Sequence, residues 1–241
     1  MVANGLTTMT HVPTSPTIFL HIPKTGGTSI RRAVERSVGH ARVLRVYSGD
    51  AGEGTVDVDA VPDLLATNER PVMISGHLNF GVHRTFGIPR AYVTVIREPA
   101  AQLVSAVEHY RRATNGEADA QELLTRPSKR FDNPQMRHLL RRSPPAGRLD
   151  ESHYRTAEAN LRACLAVGTT ERLEETAQLF GSVLGLSIDT VTRVNVRPEG
   201  STSGMPIEDL ASHIPDERLR WDRRLHRLAA TLLDEGCEAV G

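Results

Sequence analysis

Short apolar runs recur along the chain and alternate with longer amphipathic stretches. The runs are rich in β-branched and aromatic residues, which favours strands, and they cover residues 17–22, 42–47, 72–75, 92–96, 166–169 and 191–196. The stretches between them predict helices, within a few residues, at 28–38, 99–112, 134–141, 154–164, 171–184 and 217–234. Strands separated by helices of this length pair in parallel. We therefore expect an α/β fold: one three-layer αβα domain with a mostly parallel sheet over residues 17–241, behind a flexible N-terminal tail of residues 1–16.

Charge and composition narrow the classes of partner. The 241 residues include 29 Lys+Arg and 29 Asp+Glu, so the formal net charge is +0 and no global positive field attracts nucleic acid. Any anion site must therefore be local. No apolar run approaches the roughly 18 residues of a membrane helix, and residues 1–16 lack the pattern of a secretory signal. We expect a cytoplasmic protein that binds neither nucleic acid nor membrane, with Cys164 and Cys237 as reduced thiols.

The loop after the first predicted strand concentrates glycine, hydroxyl residues and one lysine where a helix begins. Two glycines let the backbone approach a ligand, while the N–H groups and dipole of the helix start favour an anion. The candidate ligands are Lys24, Thr25, Gly26, Gly27, Thr28 and Ser29. This is not a Walker A loop, because the lysine precedes the glycines. The alternative interpretation is an ordinary helix cap with a solvated lysine.

A second anion site is predicted at the end of the strand over 92–96. Arg97 follows that strand, so its forked guanidinium would lie at the carboxyl edge of the sheet, where ligands of parallel sheets bind. Ser105 comes about two helical turns later and could reach the same phosphate. The alternative is a structural pair between Arg97 and Glu98 with an exposed serine.

A candidate base follows the strand over 72–75. His77 comes directly after Gly76, at the same predicted edge. A neutral imidazole, with an unperturbed pKa of about 6.5, can accept the proton of a reacting hydroxyl near neutral pH. The chain has 10 histidines, and a lone histidine is more often structural. We expect His21 to be a packed core residue, whereas the weaker site candidates are His83, His138 and His109, of which His109 could line an acceptor pocket.

Several segments together resemble a known enzyme family. Residues 22–29, IPKTGGTS, resemble the 5′-phosphosulfate loop of the sulfotransferases that use 3′-phosphoadenosine 5′-phosphosulfate (PAPS), nearest their heparan sulfate 2-O-sulfotransferase branch. Residues 92–99, YVTVIREP, followed by Ser105, are similar to the family's 3′-phosphate site, and Gly76-His77, DNPQMR at 132–137 and VGTTERLE at 167–174 also match. The resemblance runs in patches from residue 18 to 195. Glu98 stands where the family usually has Asp and Gln102 where it has Arg, which leaves the acceptor class open.

The resemblance implies a P-loop-like sulfotransferase fold and a reaction. PAPS would donate a sulfuryl group to a hydroxyl of a carbohydrate or small-molecule acceptor, with Lys24 at the bridging oxygen and His77 as general base. We see no carboxylate cluster for a divalent cation, so we expect no metal. Two other functions remain open: a nucleotide-dependent kinase or other phosphotransferase, which the missing Walker A loop disfavours, and a noncatalytic nucleotide-binding protein.

Other polar residues allow two interpretations. Asn133 and Arg137 are four apart on a predicted helix and either contact the acceptor or join the helix to the sheet. The arginine runs at 111–112, 141–142 and 218–227 indicate solvated helix faces, although 111–112 could meet an anionic acceptor. Residues 197–204, rich in Gly and Ser, follow the last predicted strand and indicate a lid or an ordinary surface loop.

Overall fold

The structure is a computed structural model that describes residues 15–47, 54–67, 71–188, 191–192 and 207–240. Its centre is a six-stranded sheet in the order β3-β2-β4-β1-β5-β6, in which every pairing is parallel. The strands are β1 (Thr17–Leu20), β2 (Val43–Val46), β3 (Thr55–Val56), β4 (Met73–Gly76), β5 (Tyr92–Ile96) and β6 (Ala166–Thr169). The predicted α/β fold with a parallel sheet is therefore confirmed.

Helices cover both faces of the sheet. They are α1 (Gly27–Val38), α2 (Val61–Leu65), α3 (His83–Phe86), α4 (Pro99–Ala113), α5 (Ala120–Thr125), α6 (Pro134–His138), α7 (Glu151–Arg162), α8 (Leu173–Leu184), α9 (Ile207–Ser212) and α10 (Arg220–Val240). Short 3-10 turns lie at His40–Arg42, Val58–Ala60, Lys129–Phe131 and Asp216–Arg218. No helix of the described residues is long and apolar enough to cross a membrane.

Alternate residues of the central strand feed two separate cores. Ile18 and Leu20 of β1 pack on one face with residues of α7 and α10, including Leu161 and Leu225. Phe19 points to the other face, where it packs with residues of α1 and α8. This alternation is the period-two pattern of a strand buried on both sides. It produces the three layers that the sequence predicted.

The strand and helices that the sequence did not predict are short. The strand β3 lies in a stretch for which the sequence predicted neither strand nor helix, and it pairs with β2 at the sheet edge through two residue pairs. The helices α2, α3, α5 and α9 have only four to six residues each, too few to show a helical period. The predicted strand 191–196 is not seen at 191–192, and its other residues, like 1–14 and 197–204, lie outside the described residues.

The helix α6 ends three residues before the predicted boundary at 141. The N–H groups of Leu139 and Leu140 bond three residues back, to Met136 and Arg137, which tightens the last turn. The Leu139 carbonyl then accepts a hydrogen bond from Asn160 Nδ2 at 2.8 Å. Both leucines are buried in the core, and the regular helix ends before them. At the C-terminus the prediction erred in the other direction, since α10 continues to Val240 rather than ending at 234.

Candidate functional site

A cavity of about 870 Å³ opens over the carboxyl ends of four neighbouring strands, β4, β1, β5 and β6. In open parallel sheets this edge is where ligands bind, especially where strand order reverses. Here the chain runs from β1 outward to β2 and later returns to β5 on the other side of β1. The structure brings these sequence-predicted residues to the cavity wall: Lys24, Gly26, Gly27, Thr28, Ser29, His77, Arg97 and Ser105.

The Thr25 side chain departs from the expected arrangement. Thr25 is 0% exposed, and its hydroxyl donates a hydrogen bond to the Ile22 carbonyl at 2.9 Å. It is absent from the cavity wall that the described residues form. The hydroxyl therefore closes the turn instead of facing a ligand, which leaves only the backbone of Thr25 as a candidate contact.

Side chains from other elements hold three consecutive carbonyls of the loop after β1. The donors are Gln102 Nε2 to the Pro23 carbonyl at 2.9 Å, Arg97 Nη1 to the Lys24 carbonyl at 3.0 Å, and Thr170 Oγ1 to the Thr25 carbonyl at 2.7 Å. Gln102 belongs to α4, whereas Arg97 and Thr170 follow β5 and β6. Because these oxygens are already engaged by protein donors, an anion at the loop meets less repulsion from them. We call residues 22–28 the anion loop.

Lys24 occupies the middle of the anion loop in an unusual backbone conformation. Its φ of 68° lies in the left-handed region, which residues with a Cβ seldom adopt. Desolvation lowers the pKa of the Lys24 ammonium, and the nearby positive charges of Arg112 and Arg97 lower it further, while Glu108 opposes them. A bound anion would supply the negative charge that this environment lacks.

The two positions of the loop require glycine for different structural reasons. Gly26 has a φ of 78°, a left-handed conformation at the start of α1. At Gly27 a Cβ would overlap the imidazole of His21, which packs directly against the backbone there. The expectation that both glycines serve ligand approach therefore overlooked an internal cause for Gly27.

Arg97 is held by its backbone as well as by its guanidinium. The side-chain amide of Gln135 accepts from the Arg97 N–H at 2.8 Å and donates to the Arg97 carbonyl at 2.9 Å. The Glu98 carboxylate caps α4 by accepting from the N–H groups of Ala100 and Ala101. Glu98 thus has a structural task at the helix start. Ser105, half-buried on α4, faces the same cavity as Arg97.

His77 lies against two other rings at the cavity wall. Its imidazole meets His21 edge-on with ring centroids 5.0 Å apart, and Tyr47 at 4.9 Å. The residue is exposed at the cavity wall, and the His21 and Tyr47 rings cover part of its imidazole. Desolvation, together with the positive charge of His138, Arg130, His109 and Lys24, lowers the pKa of His77 to about 4. The ring is therefore neutral at pH 7 and able to accept a proton.

The remaining candidate histidines divide by position. His21 is packed as expected: it stacks on Phe19, its Nδ1 lies 3.1 Å from the Tyr47 hydroxyl, and burial lowers its pKa to about 3. The cavity wall also includes His21, His138 and the exposed His109. The Nδ1 atom of His138 forms a hydrogen bond with the Leu78 carbonyl. His83 bonds the Tyr92 hydroxyl at 2.7 Å and does not belong to this wall.

Asn133 and Arg137 join elements of the fold. The Asn133 side-chain oxygen accepts from the N–H groups of Trp221 and Asp222 at the start of α10. Arg137 pairs with the buried Asp132 and donates to the Ser143 hydroxyl at 2.6 Å. These contacts link α6 to α10 and to the residues after α6, whereas the joining interpretation expected a link to the sheet. Arg137 also contributes to the cavity wall.

Sequence reasoning missed several residues of the cavity or its support. Gln102 and Thr170 hold the anion loop, Tyr47 packs on His77, and Lys129 and Arg130 line the cavity from the turn before α6. The neighbouring basic residues 129 and 130 are a signal that the sequence offered. The roles of the other three depend on contacts across more than 20 residues, for which a single sequence gives no sign.

Comparison with known proteins adds little to these observations. The chain matches no family model and no curated protein. Among solved structures, a sulfotransferase from Alicyclobacillus acidocaldarius is similar at 18% sequence identity and a TM-score of 0.48, covering 89% of this chain and 97% of that one. At this identity and score the likeness carries no argument about function. Within the described residues, no group of three or more His, Cys, Asp or Glu side chains is placed to hold a metal ion.

Proposed function

We propose that this chain is a PAPS-dependent sulfotransferase that moves the sulfuryl group to a hydroxyl of a carbohydrate or small-molecule acceptor. The observation that carries the proposal is the shared cavity: Lys24 of the anion loop, Arg97, Ser105 and a neutral His77 all reach it. We include in the proposal a P-loop-like sulfotransferase fold, a transferase domain over residues 17–241, a cytoplasmic location and a reaction without a metal.

The residues present fit a donor with two anionic ends. The anion loop combines a helix N-terminus, an ammonium and carbonyls already bonded to protein donors, which together suit a phosphosulfate. Arg97 and Ser105 stand at the end of the neighbouring strand and on the helix after it, where a separate phosphate would be bound. Two anion subsites on adjacent strand ends favour a bisphosphorylated nucleoside over AMP.

PAPS supplies a sulfuryl group attached to a phosphate leaving group. The protein therefore has only to position the two substrates and to stabilise the charge that develops in the transition state. The loop N–H groups with Thr28 and Ser29 would hold the sulfonate and 5′-phosphate oxygens. Lys24 would neutralise charge that develops on the bridging oxygen as its bond to sulfur breaks. His77 would take the proton of the acceptor hydroxyl as the new oxygen–sulfur bond forms. The products are a sulfate ester and 3′-phosphoadenosine 5′-phosphate (PAP), in analogy with loose phosphoryl transfer.

The acceptor is left at the level of a hydroxyl compound. The likeness to the heparan sulfate 2-O-sulfotransferase branch rests on sequence segments, and Gln102 departs from that pattern by turning into the anion loop. His109 and Arg130 also line the cavity and have no role in the proposed donor site. Screening sugars, phenols, lipids and other alcohols for transfer of radiolabelled sulfate would identify the acceptor.

Calorimetric titration of the purified protein tests the donor. We expect binding of PAP, weaker binding of AMP, and no preference for ATP with Mg²⁺. A preference for ATP with Mg²⁺ would replace the proposal with a kinase or another phosphotransferase. Binding of PAP without sulfate transfer to any screened acceptor would favour a noncatalytic nucleotide-binding protein.

A further inference from the structure

Gln102 is a buried amide with only part of its hydrogen-bonding capacity used. It lies on α4 with 1% of its surface exposed, and its Nε2 donates to the Pro23 carbonyl at 2.9 Å. Its Oε1 is buried and has no partner among the described residues. A buried acceptor without a partner destabilises the fold, so an amide is unfavourable at this position unless it has another role. An apolar side chain of the same size would avoid that cost.

The bond from Gln102 fixes the peptide plane that precedes Lys24. The Pro23 carbonyl and the Lys24 nitrogen belong to the same peptide unit. Holding this oxygen therefore restricts rotation about the N–Cα bond of Lys24, and this rotation sets the φ angle of Lys24. Arg97 holds the carbonyl of Lys24 itself and so restricts its ψ. The two bonds therefore clamp both peptide planes around the Cα of Lys24, whose φ of 68° is unfavourable for a residue with a Cβ.

We propose that Gln102 is a positioning residue that acts through Lys24, by holding the Pro23 carbonyl and with it the left-handed backbone of the anion loop. Without this bond, Lys24 relaxes toward negative φ, and its Cα–Cβ bond turns away from the present direction. The ammonium then has to be ordered at each turnover instead of being in place beforehand, which weakens electrostatic stabilisation of the transition state. The kinetic consequences rest on the proposed function, whereas the structural consequence for the loop does not.

Gln102→Met is the direct test, because methionine has nearly the same shape and lacks both amide atoms. The variant loses the bond to the Pro23 carbonyl but also removes the unsatisfied acceptor, and because these effects oppose each other the unfolding free energy should stay near that of the wild type. We expect kcat to fall by about tenfold or more, with a smaller change in the KM for PAPS and in the Kd for PAP, since PAP lacks the sulfuryl group. Gln178→Met, at an exposed position of α8, is the matched control and should leave all three unchanged.

Two further variants separate positioning from packing. Gln102→Glu keeps the length of the side chain and can donate to the Pro23 carbonyl only while its carboxyl is protonated, so its kcat should fall toward that of Gln102→Met as the pH rises and the carboxyl ionises. In a Lys24→Ala background, Gln102→Met should cause no additional loss, because the group through which it acts is gone. Full activity of the glutamate variant with its carboxyl ionised, or losses that multiply in the double variant, would overturn the proposal.

Hydrogen–deuterium exchange provides a readout that does not depend on activity. In the ligand-free protein, the amides of Ile22 and of residues 24–28 should exchange faster in Gln102→Met than in the wild type or in Gln178→Met, while other regions stay unchanged. Equal exchange in a folded Gln102→Met protein would overturn the positioning role. If the wild type fails to bind PAP, the proposed function fails, and the exchange experiment still decides what Gln102 does for the loop.

Discussion

Asn133 and Asp222 cap each other's helices. The Asn133 side-chain oxygen accepts from the N–H of Trp221 at 2.8 Å and of Asp222 at 3.2 Å, at the start of α10. The Asp222 carboxylate in return accepts from the N–H groups of Gln135 and Met136 in the first turn of α6. Since Gln135 also holds the backbone of Arg97, this exchange connects α10 to the end of β5 and so to the cavity.

Asn133→Ala should destabilise the protein by about 1–3 kcal/mol, because it leaves buried N–H groups at the start of α10 without their acceptor. Asn133 also has a φ of 45°, which alanine tolerates poorly. Asn115→Ala is the matched control, since Asn115 has a φ of 51° at an exposed turn. Urea unfolding measures both variants, and equal losses would show that the cap adds nothing beyond the backbone conformation.

Gly27→Ala should destabilise the fold by about 2 kcal/mol or more, because the new Cβ overlaps the buried His21 ring. Removing the ring should relieve the overlap, so His21→Ala/Gly27→Ala is expected to lose less free energy of unfolding than the sum of the two single variants. Thermal or urea unfolding of the four proteins gives the coupling. Additive losses would show that the ring is not the reason for the glycine.

Lys24→Ala and His77→Ala should each lower kcat by about a hundredfold or more, since each removes a group that acts on the reacting atoms. Neither change should disturb the fold, because both side chains reach the cavity. His40→Ala, at an exposed position that does not line the cavity, is the control. Transfer of labelled sulfate measures the rate, and a near-normal rate in either variant removes that residue from its assigned role.

The pH dependence of transfer should show a base with a low pKa. His77 is neutral above its pKa of about 4, so kcat/KM should stay high down to about pH 5 and fall only as the ring becomes protonated. Bound anionic donor raises the pKa of His77 by offsetting its positive neighbours, so the acid limb of kcat should lie at higher pH than that of kcat/KM. An acid limb of kcat at lower pH than that of kcat/KM would contradict the proposed effect of the positive neighbours on the pKa of His77.

Arg130 offers a direct check on that electrostatic cause. Arg130→Gln removes one of the positive charges that lower the pKa of His77, so an NMR titration of the His77 ring should give a higher pKa than in the wild type. Arg126→Gln, which removes an exposed arginine four residues earlier, should leave that titration unchanged. An equal response to both substitutions would indicate a general charge effect.

The pattern of apolar and polar residues within each segment determined the layers of this protein and the general position of its candidate site. Apolar runs at 17–22, 72–75 and 92–96 predicted buried parallel strands, because a strand covered on both faces has no polar side to interrupt its sequence. The residues that follow such strands meet at one edge of the sheet, so the sequence alone predicted that Lys24, His77 and Arg97 lie close together.

Only the tertiary structure decided what each of these side chains contacts. The hold of Gln102 on the Pro23 carbonyl spans 79 residues, and that of Thr170 on the Thr25 carbonyl spans 145. No periodicity within a segment carries information about such pairs, because they depend on how distant elements pack. The same packing directs the Thr25 hydroxyl to the Ile22 carbonyl and places the His21 ring where a Cβ at residue 27 would lie. It also brings the Asn133 side chain to the start of α10, which it caps.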